Sequence, residues 1–284
     1  MAIFTNQASL TYRNVTRNSN IATGQILETL SATKSAVTTE YTPGDNITYI
    51  ISIVNAGSVV QNGVVISDDL GAYTVGSTTV TPLTYVDGSV KYYANGVLQA
   101  SPTTTAGPPL SISGISVPAG GNAIIIYEAL VNDYAPLLEG STIVNEATIT
   151  GTGLSTPIVV SETITARNVS DLTISKSITP EIVTENDEVT YSFVIQNTGN
   201  TPVTVADNAI VNDTFNPILT NISVTYNSLP WTEGTNYTYN PTTGAFATNA
   251  GQITVPAATY TQDPVTGAIT TTPGVSVLTV TGTI

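Results

Sequence analysis

The sequence predicts an all-β fold of two tandem β-sandwiches, on three observations: composition, turn spacing and an internal repeat. Thr, Val, Ile, Asn and Tyr dominate the 284 residues, and 22 Gly and 16 Pro cut them into short segments. No long stretch carries helical periodicity, so the short alternating apolar runs read as strands. The length suits one to three domains with cores of ordinary size.

The repeat sets the order of elements. Lys34-Ser-Ala-Val-Thr-Thr-Glu-Tyr-Thr-Pro-Gly-Asp-Asn-Ile-Thr-Tyr49, running on to Asn55-Ala-Gly57, recurs without gaps 142 residues later as Lys176 to Tyr191, then Asn197-Thr-Gly199. Downstream, Ile66-Ser-Asp-Asp-Leu70 matches Val211-Asn-Asp-Thr-Phe215, and Ser89-Val-Lys-Tyr92 matches Ser223-Val-Thr-Tyr226. Ile115-Ser-Val-Pro-Ala119 matches Ile253-Thr-Val-Pro-Ala257, and Gly121-Asn-Ala-Ile-Ile-Ile126 matches Gly274-Val-Ser-Val-Leu-Thr279.

The run Thr42-Pro-Gly-Asp-Asn-Ile-Thr-Tyr-Ile-Ile-Ser-Ile-Val-Asn-Ala-Gly57, with the strand ending at Asp68, resembles the DUF11 repeat of bacterial and archaeal surface proteins. The resemblance covers nearly the whole chain and implies immunoglobulin-like sandwiches. The second copy departs from it at Thr184-Glu-Asn-Asp187, which alters a turn.

Each repeat is out of step with the chain ends. The first closes with Thr142-Ile-Val-Asn-Glu-Ala-Thr-Ile-Thr-Gly151, which resembles the family's last strand. The second stops at Ile284, one strand earlier. Its missing strand is matched at the N-terminus, where Asn6-Gln-Ala-Ser-Leu-Thr11 parallels Asn145-Glu-Ala-Thr-Ile-Thr150. The expected division is an N-terminal donor strand and linker over 1–22, a complete sandwich over 23–156, and a second, strand-deficient sandwich over 157–284. The donor residues are Ile3, Phe4, Asn6, Ala8 and Leu10.

A sandwich lacking a strand leaves an open edge and an apolar groove, an aggregation liability until filled. Two occupants fit: the chain's own N-terminal strand folded back, giving a monomeric surface adhesin or stalk, or the strand of another copy. A polar linker, Arg13 to Asn20, and a whole domain of roughly 40 Å separate strand from groove. That span favours insertion in trans, by strand addition. Such a contact is heterologous and extends into an open head-to-tail homopolymer.

Strand parity places three polar residues among apolar ones in each repeat. Lys34 shares a face with Leu30 and Ala32, Asp68 with Val64 and Ile66, and Asn145 with Ile143 and Ala147. Lys176, Asp213 and, from the donor strand, Asn6 form the second set. Burial depresses a lysine pKa and raises an aspartate's. A neutral amine and a protonated acid facing a carboxamide are the reactants for amide formation with loss of ammonia. The arrangement resembles the intramolecular isopeptide bonds of Gram-positive pilin and adhesin domains. That resemblance implies a Lys34–Asn145 bond with Asp68 within the chain, and a Lys176–Asn6 bond with Asp213 between chains. The alternative is that both lysines snorkel to solvent, the aspartates end strands in turns and the asparagines satisfy backbone groups.

Composition narrows the rest. Twenty acidic against six basic residues, a net charge of −14, leave no basic stripe for nucleic acid. The chain has no Cys and no His, which removes thiol and imidazole catalysis and soft-metal sites. No Ser-His-Asp set, phosphate loop or calcium loop is present; Asp68-Asp69 and Asp187-Glu188 read as solvated turns. No enzyme activity, metal or cofactor is therefore expected. No run of 18 apolar residues exists, so no membrane insertion is expected. Met1 to Asn6 lacks the features of a secretory signal. An extracellular or cell- or spore-surface location is expected from the acidic, Thr- and Asn-rich composition.

Sequons beginning at Asn14, Asn46, Asn168, Asn212, Asn221 and Asn236 are those that a chain rich in Asn and Thr acquires by chance. The aromatic cluster Trp231, Tyr237 and Tyr239 reads as the cover of a hairpin in the second domain, with a sugar- or protein-binding face as its alternative.

Overall fold

The structure, a computed structural model, describes residues 2–26, 29–152 and 154–284. Its regular elements are strands, with one 3-10 turn at Val205–Asp207 and no α-helix among the described residues. The chain forms two compact units. The first comprises the chain up to Pro136 with Thr142–Thr165, the second Leu137–Ser141 with Ala166–Ile284.

The first four strands make a two-stranded ribbon: β1 (Ala2–Asn6), β2 (Ser9–Tyr12), β3 (Val15–Asn18) and β4 (Ala22–Ile26). β1 pairs with β4, Phe4 opposite Gly24 and Asn6 opposite Ala22, and β2 pairs with β3. Arg13 and Asn14 turn the chain at positive φ, 48° and 65°, the two-residue geometry that matches strand twist. Residues 13–20 are thus the return arm of a hairpin, where the sequence suggested a linker. The sequence hid this because Arg-Asn lacks the usual Asn-Gly or Asp-Gly signature of such a turn.

The first sandwich follows. Its strands are β5 (Leu30–Ala36), β6 (Glu40–Tyr41), β7 (Asn46–Asn55) and β8 (Gln61–Asp68), then six short ones, β9 (Tyr73–Val75), β10 (Thr78–Val80), β11 (Leu83–Tyr85), β12 (Lys91–Ala94), β13 (Val97–Leu98) and β14 (Thr103–Thr105). It ends with β15 (Leu110–Val117), β16 (Asn122–Val131), β17 (Thr142–Thr150) and β18 (Ile158–Ala166). One sheet runs β13-β12-β16-β7-β5, the other β14-β15-β8-β17-β18-β6. Alternate residues of β7, β8, β15 and β16 are buried, so Ile47, Ile51, Ile53, Ile66, Ile112 and Ile125 meet between the sheets. Each such side chain taken out of water contributes about 1.5–3 kcal/mol. Residues 158–165, which the repeat boundary assigned to the second domain, pair along β17 and belong to this unit.

The second sandwich is built from β19 (Leu172–Thr179), β20 (Glu188–Asn197), β21 (Asn212–Thr214), β22 (Thr220–Tyr226), β23 (Leu229–Trp231), β24 (Tyr237–Tyr239), β25 (Ala245–Thr248), β26 (Thr259–Gln262), β27 (Ile269–Thr272) and β28 (Gly274–Thr283). The main sheet runs β19-β20-β28-β22-β23, and a small one runs β21-β25-β24. Phe193, Phe215, Leu219, Phe246, Leu278 and Val280 form its core. Trp231 stacks on Tyr226, and Tyr237 packs on Phe246, so the aromatic cluster is part of this core.

The repeat is visible in detail. Buried Asn55 and Asn197 each span two backbone carbonyls, of Val59 and Val117 and of Thr201 and Pro256. Each also accepts from the glycine two residues on, Gly57 or Gly199. Asp45 caps Thr42 through backbone and hydroxyl, as Asp187 caps Thr184. The turn that differs in sequence keeps its shape, because Asn186 takes the left-handed conformation (φ 70°) of Gly44 (φ 83°), which asparagine tolerates.

Candidate functional site

In the first unit β5, β8 and β17 converge on one buried polar cluster. Lys34, Asp68 and Asn145 are all buried. Lys34 Nζ donates to Asp68 Oδ2 at 2.7 Å, and Tyr127 of β16 donates to the same oxygen at 2.5 Å. Asn145 Nδ2 donates to the Tyr127 hydroxyl at 3.1 Å. Asp68 Oδ1 accepts from the Leu70 amide at 3.1 Å, where the chain turns at the end of β8. The Lys34 ammonium lies 5.1 Å from the ring centroid of Tyr49, which stacks on Tyr127 at 5.5 Å.

Asn145 Oδ1 is buried with no hydrogen-bond partner, which costs about 1–3 kcal/mol. Burial pulls the Lys34 pKa below its ordinary value, against the opposing pull of Asp68. Burial also pushes the Tyr127 hydroxyl well above 10, with the charge of Asp68 acting in the same direction. Tyr127 therefore stays a hydrogen-bond donor at any physiological pH. The cluster holds an amine driven toward its neutral form, a carboxylate and an under-satisfied carboxamide.

Pairing fixes how two of these strands meet. β17 lies beside β8 with Ala147 opposite Asp68 and Ile149 opposite Ile66. Asn145 is thus two residues along β17 from the position facing Asp68, on the same face as Ala147.

The second unit carries the lysine and aspartate but not the strand. Lys176 Nζ donates to Asp213 Oδ2 at 2.5 Å and lies 4.5, 5.3 and 5.4 Å from the ring centroids of Tyr191, Phe215 and Phe193. Here the lysine side chain is 39% exposed. Val280 stands opposite Tyr191, as Tyr127 stands opposite Tyr49, so this pair has no tyrosine on its acid. β21 pairs with β25 on one side, and among the described residues no strand lies on its other side. An apolar groove lined by Leu172, Ile174, Ile195, Ala209, Val211 and Ile253 opens there. Leu172 is 39% exposed, whereas its counterpart Leu30 is 8% exposed.

The donor residues lie on the ribbon, and among the described residues β1 and β2 pair only with β4 and β3. Phe4, Asn6, Ala8 and Leu10 are exposed, Leu10 at 69%; the side chain of Ile3 lies outside the described residues. Asn6 is not brought to Lys176 within one chain by any strand pairing. Tyr127 is the site residue that sequence reading missed. Its signal was its inward parity on β16 opposite Tyr49, which reads equally well as core.

No family model matches the chain, and no curated protein matches it. Among solved structures it is similar to BcpA, the major pilin subunit of Bacillus cereus, at 11% identity and a TM-score of 0.36, over 95% of this chain and 73% of that one. It is similar to the pilus backbone RrgB of Streptococcus pneumoniae at 12% identity and a TM-score of 0.32, over 86% and 55%. The N-terminal domain of the Streptococcus gordonii adhesin Sgo0707 follows at 16% identity and 0.35, over 53% and 35%. The chain thus spans about a third of the length of that adhesin domain.

Proposed function

We propose that the chain is the structural subunit of an extracellular fibre or pilus, polymerising head to tail by strand donation. The N-terminal segment of one copy completes the second sandwich of the next. The observation that carries this reading is the unequal flanking of two equivalent aspartates. Asp68 sits between β15 and β17, whereas among the described residues Asp213 has a strand on one side only. The exposed motif around Asn6 and Ala8 repeats the β17 sequence around Asn145 and Ala147. By that match Ala8 would face Asp213 and Leu10 would face Val211.

Covalent bonds then lock the fold and the fibre. The Lys34 ammonium passes its proton to Asp68, and the neutral amine attacks Cγ of Asn145. Asp68 passes that proton to the departing nitrogen, ammonia leaves, and the second proton of the attacking nitrogen goes to Asp68, so that a Lys34–Asn145 amide and a protonated Asp68 remain. Tyr127, hydrogen-bonded to both acid and carboxamide, positions the two. The same exchange among Lys176, Asp213 and Asn6 of the entering strand welds successive subunits. A surface location of the fibre, on cell or spore, belongs to this reading, as does the DUF11-type kinship of the repeats.

Deleting residues 1–12 and imaging the purified protein by negative stain tests strand donation: filaments from the full chain and none from the truncated one are expected. Filaments from both would overturn it. Intact mass tests the chemistry separately, at about 17 Da lost per bond.

A further inference from the structure

We infer that the donated element is the whole N-terminal hairpin, residues 2–26, and that its second arm pairs with residues 181–183 of the acceptor. This rests on the strand-donation reading and extends it. In the first unit β17 does not complete its sheet alone. β18 pairs with it from Thr142 opposite Thr165 to Ile149 opposite Ile158, and then meets β6. The Thr165 amide donates to the Thr39 carbonyl at 2.8 Å.

Among the described residues the second unit has no counterpart of either strand, so two positions are open between β21 and the segment equivalent to β6. That segment, Glu181-Ile182-Val183, matches Thr39-Glu40-Tyr41 in the ungapped repeat. Among the described residues it belongs to no strand, and Ile182 is 92% exposed. A single donated strand would cover β21 and leave this segment bare.

The ribbon has the form of the missing pair. Phe4 faces Gly24 as Ile143 faces Ile164, and Asn6 faces Ala22 as Asn145 faces Glu162. A Cβ at Gly24 would lie 2.3 Å from the Phe4 ring, so the ring occupies the space of both partners. One large side chain over a glycine thus replaces two isoleucines at the inward-facing pair. In the same register Gln25 stands where Thr165 stands, and its amide would donate to the Glu181 carbonyl. By the same match the backbone amide of Gln25, like that of Thr165, would point away from β1, so a proline there would spare the ribbon's own pairing and block only the outer one.

The experiment compares three full-length proteins: the wild type, Leu10→Asp and Gln25→Pro. Leu10→Asp is expected to stay monomeric, and Gln25→Pro to assemble about tenfold more slowly or not at all. Amide hydrogen exchange over residues 180–184 is expected to slow by about tenfold or more in wild-type filaments relative to the Leu10→Asp monomer. Equal exchange of that segment in both states overturns the hairpin while leaving strand donation standing, as does wild-type assembly by Gln25→Pro. Filaments from Leu10→Asp overturn strand donation itself, and the hairpin with it.

Discussion

Lys34 and Tyr127 share one oxygen: both donate to Oδ2 of Asp68, at 2.7 and 2.5 Å. They come from β5 and β16 of one sheet, 93 residues apart in sequence, and reach the same carboxylate because the other sheet, which carries Asp68 on β8, closes over them. Both hold the carboxylate, but only Tyr127 also holds Asn145. On the proposed chemistry the cluster has a reacting part and a positioning part, and these separate by mutation.

Tyr127→Phe keeps the ring and its stacking on Tyr49 but removes the hydroxyl. Stability of the first unit is expected to fall by about 1–3 kcal/mol, since Asn145 Nδ2 loses its partner in a dry site. Loss of 17 Da per bond, followed by mass spectrometry on newly made protein, should slow without being abolished. Denaturation of an Asn145→Ala background, with and without Tyr127→Phe, isolates the effect on packing.

Asp68→Ala strands a buried ammonium and is expected to cost about 3–5 kcal/mol and to leave the mass unreduced. Replacing Lys34 by Met and Asp68 by Leu together removes both charges, and the double variant should be more stable than Asp68→Ala. Guanidinium melts of the three proteins check this.

Lysine and aspartate in the second unit are partly exposed, at 39% and 17%, so the same substitutions should behave differently there. Lys176→Met or Asp213→Ala is expected to change monomer stability by no more than about 1 kcal/mol. Either should nonetheless abolish polymers that survive boiling in detergent, which gel electrophoresis reads directly.

The pH response of the unreacted first unit follows from the lowered Lys34 pKa. In an Asn145→Ala chain the amine cannot react. The folded unit releases the Lys34 proton at a pH where the unfolded chain, titrating near 10.5, still binds it. Stability is therefore expected to be flat below the folded value and to rise with pH above it. The raised Tyr127 pKa acts only where the unfolded phenol ionises, near 10, and there stability falls again. Melts between about pH 7 and 9.5 separate the two. A Lys34→Met partner variant should lose the rise.

Much of this was legible in the sequence because β-strands have a two-residue period. Parity alone put Lys34, Asp68 and Asn145 on inward faces, and the structure places all three in one cluster. Tyr127 was not legible, since an inward tyrosine on a strand of Ile and Ala is indistinguishable from core until its hydroxyl has a partner. Lys176 was read as buried by the same parity, but in the single chain it is half-open because no strand covers it. The return arm of the hairpin and β18 were missed for another reason. Neither is part of the recurring sequence, and the pairing of β18 to β17 depends on an edge that only the folded sheet presents.

One-sided pairing of β21 gives the proposed fibre a direction. One end would always present a free ribbon and the other an unfilled groove, so the two ends would grow at different rates and attract different terminators. A subunit without its ribbon receives but does not donate. Mixed into a growing population, it would stop each chain it joins, and mean fibre length would fall with its fraction. Length would then be set by the ratio of truncated to complete subunits and not by the concentration of either.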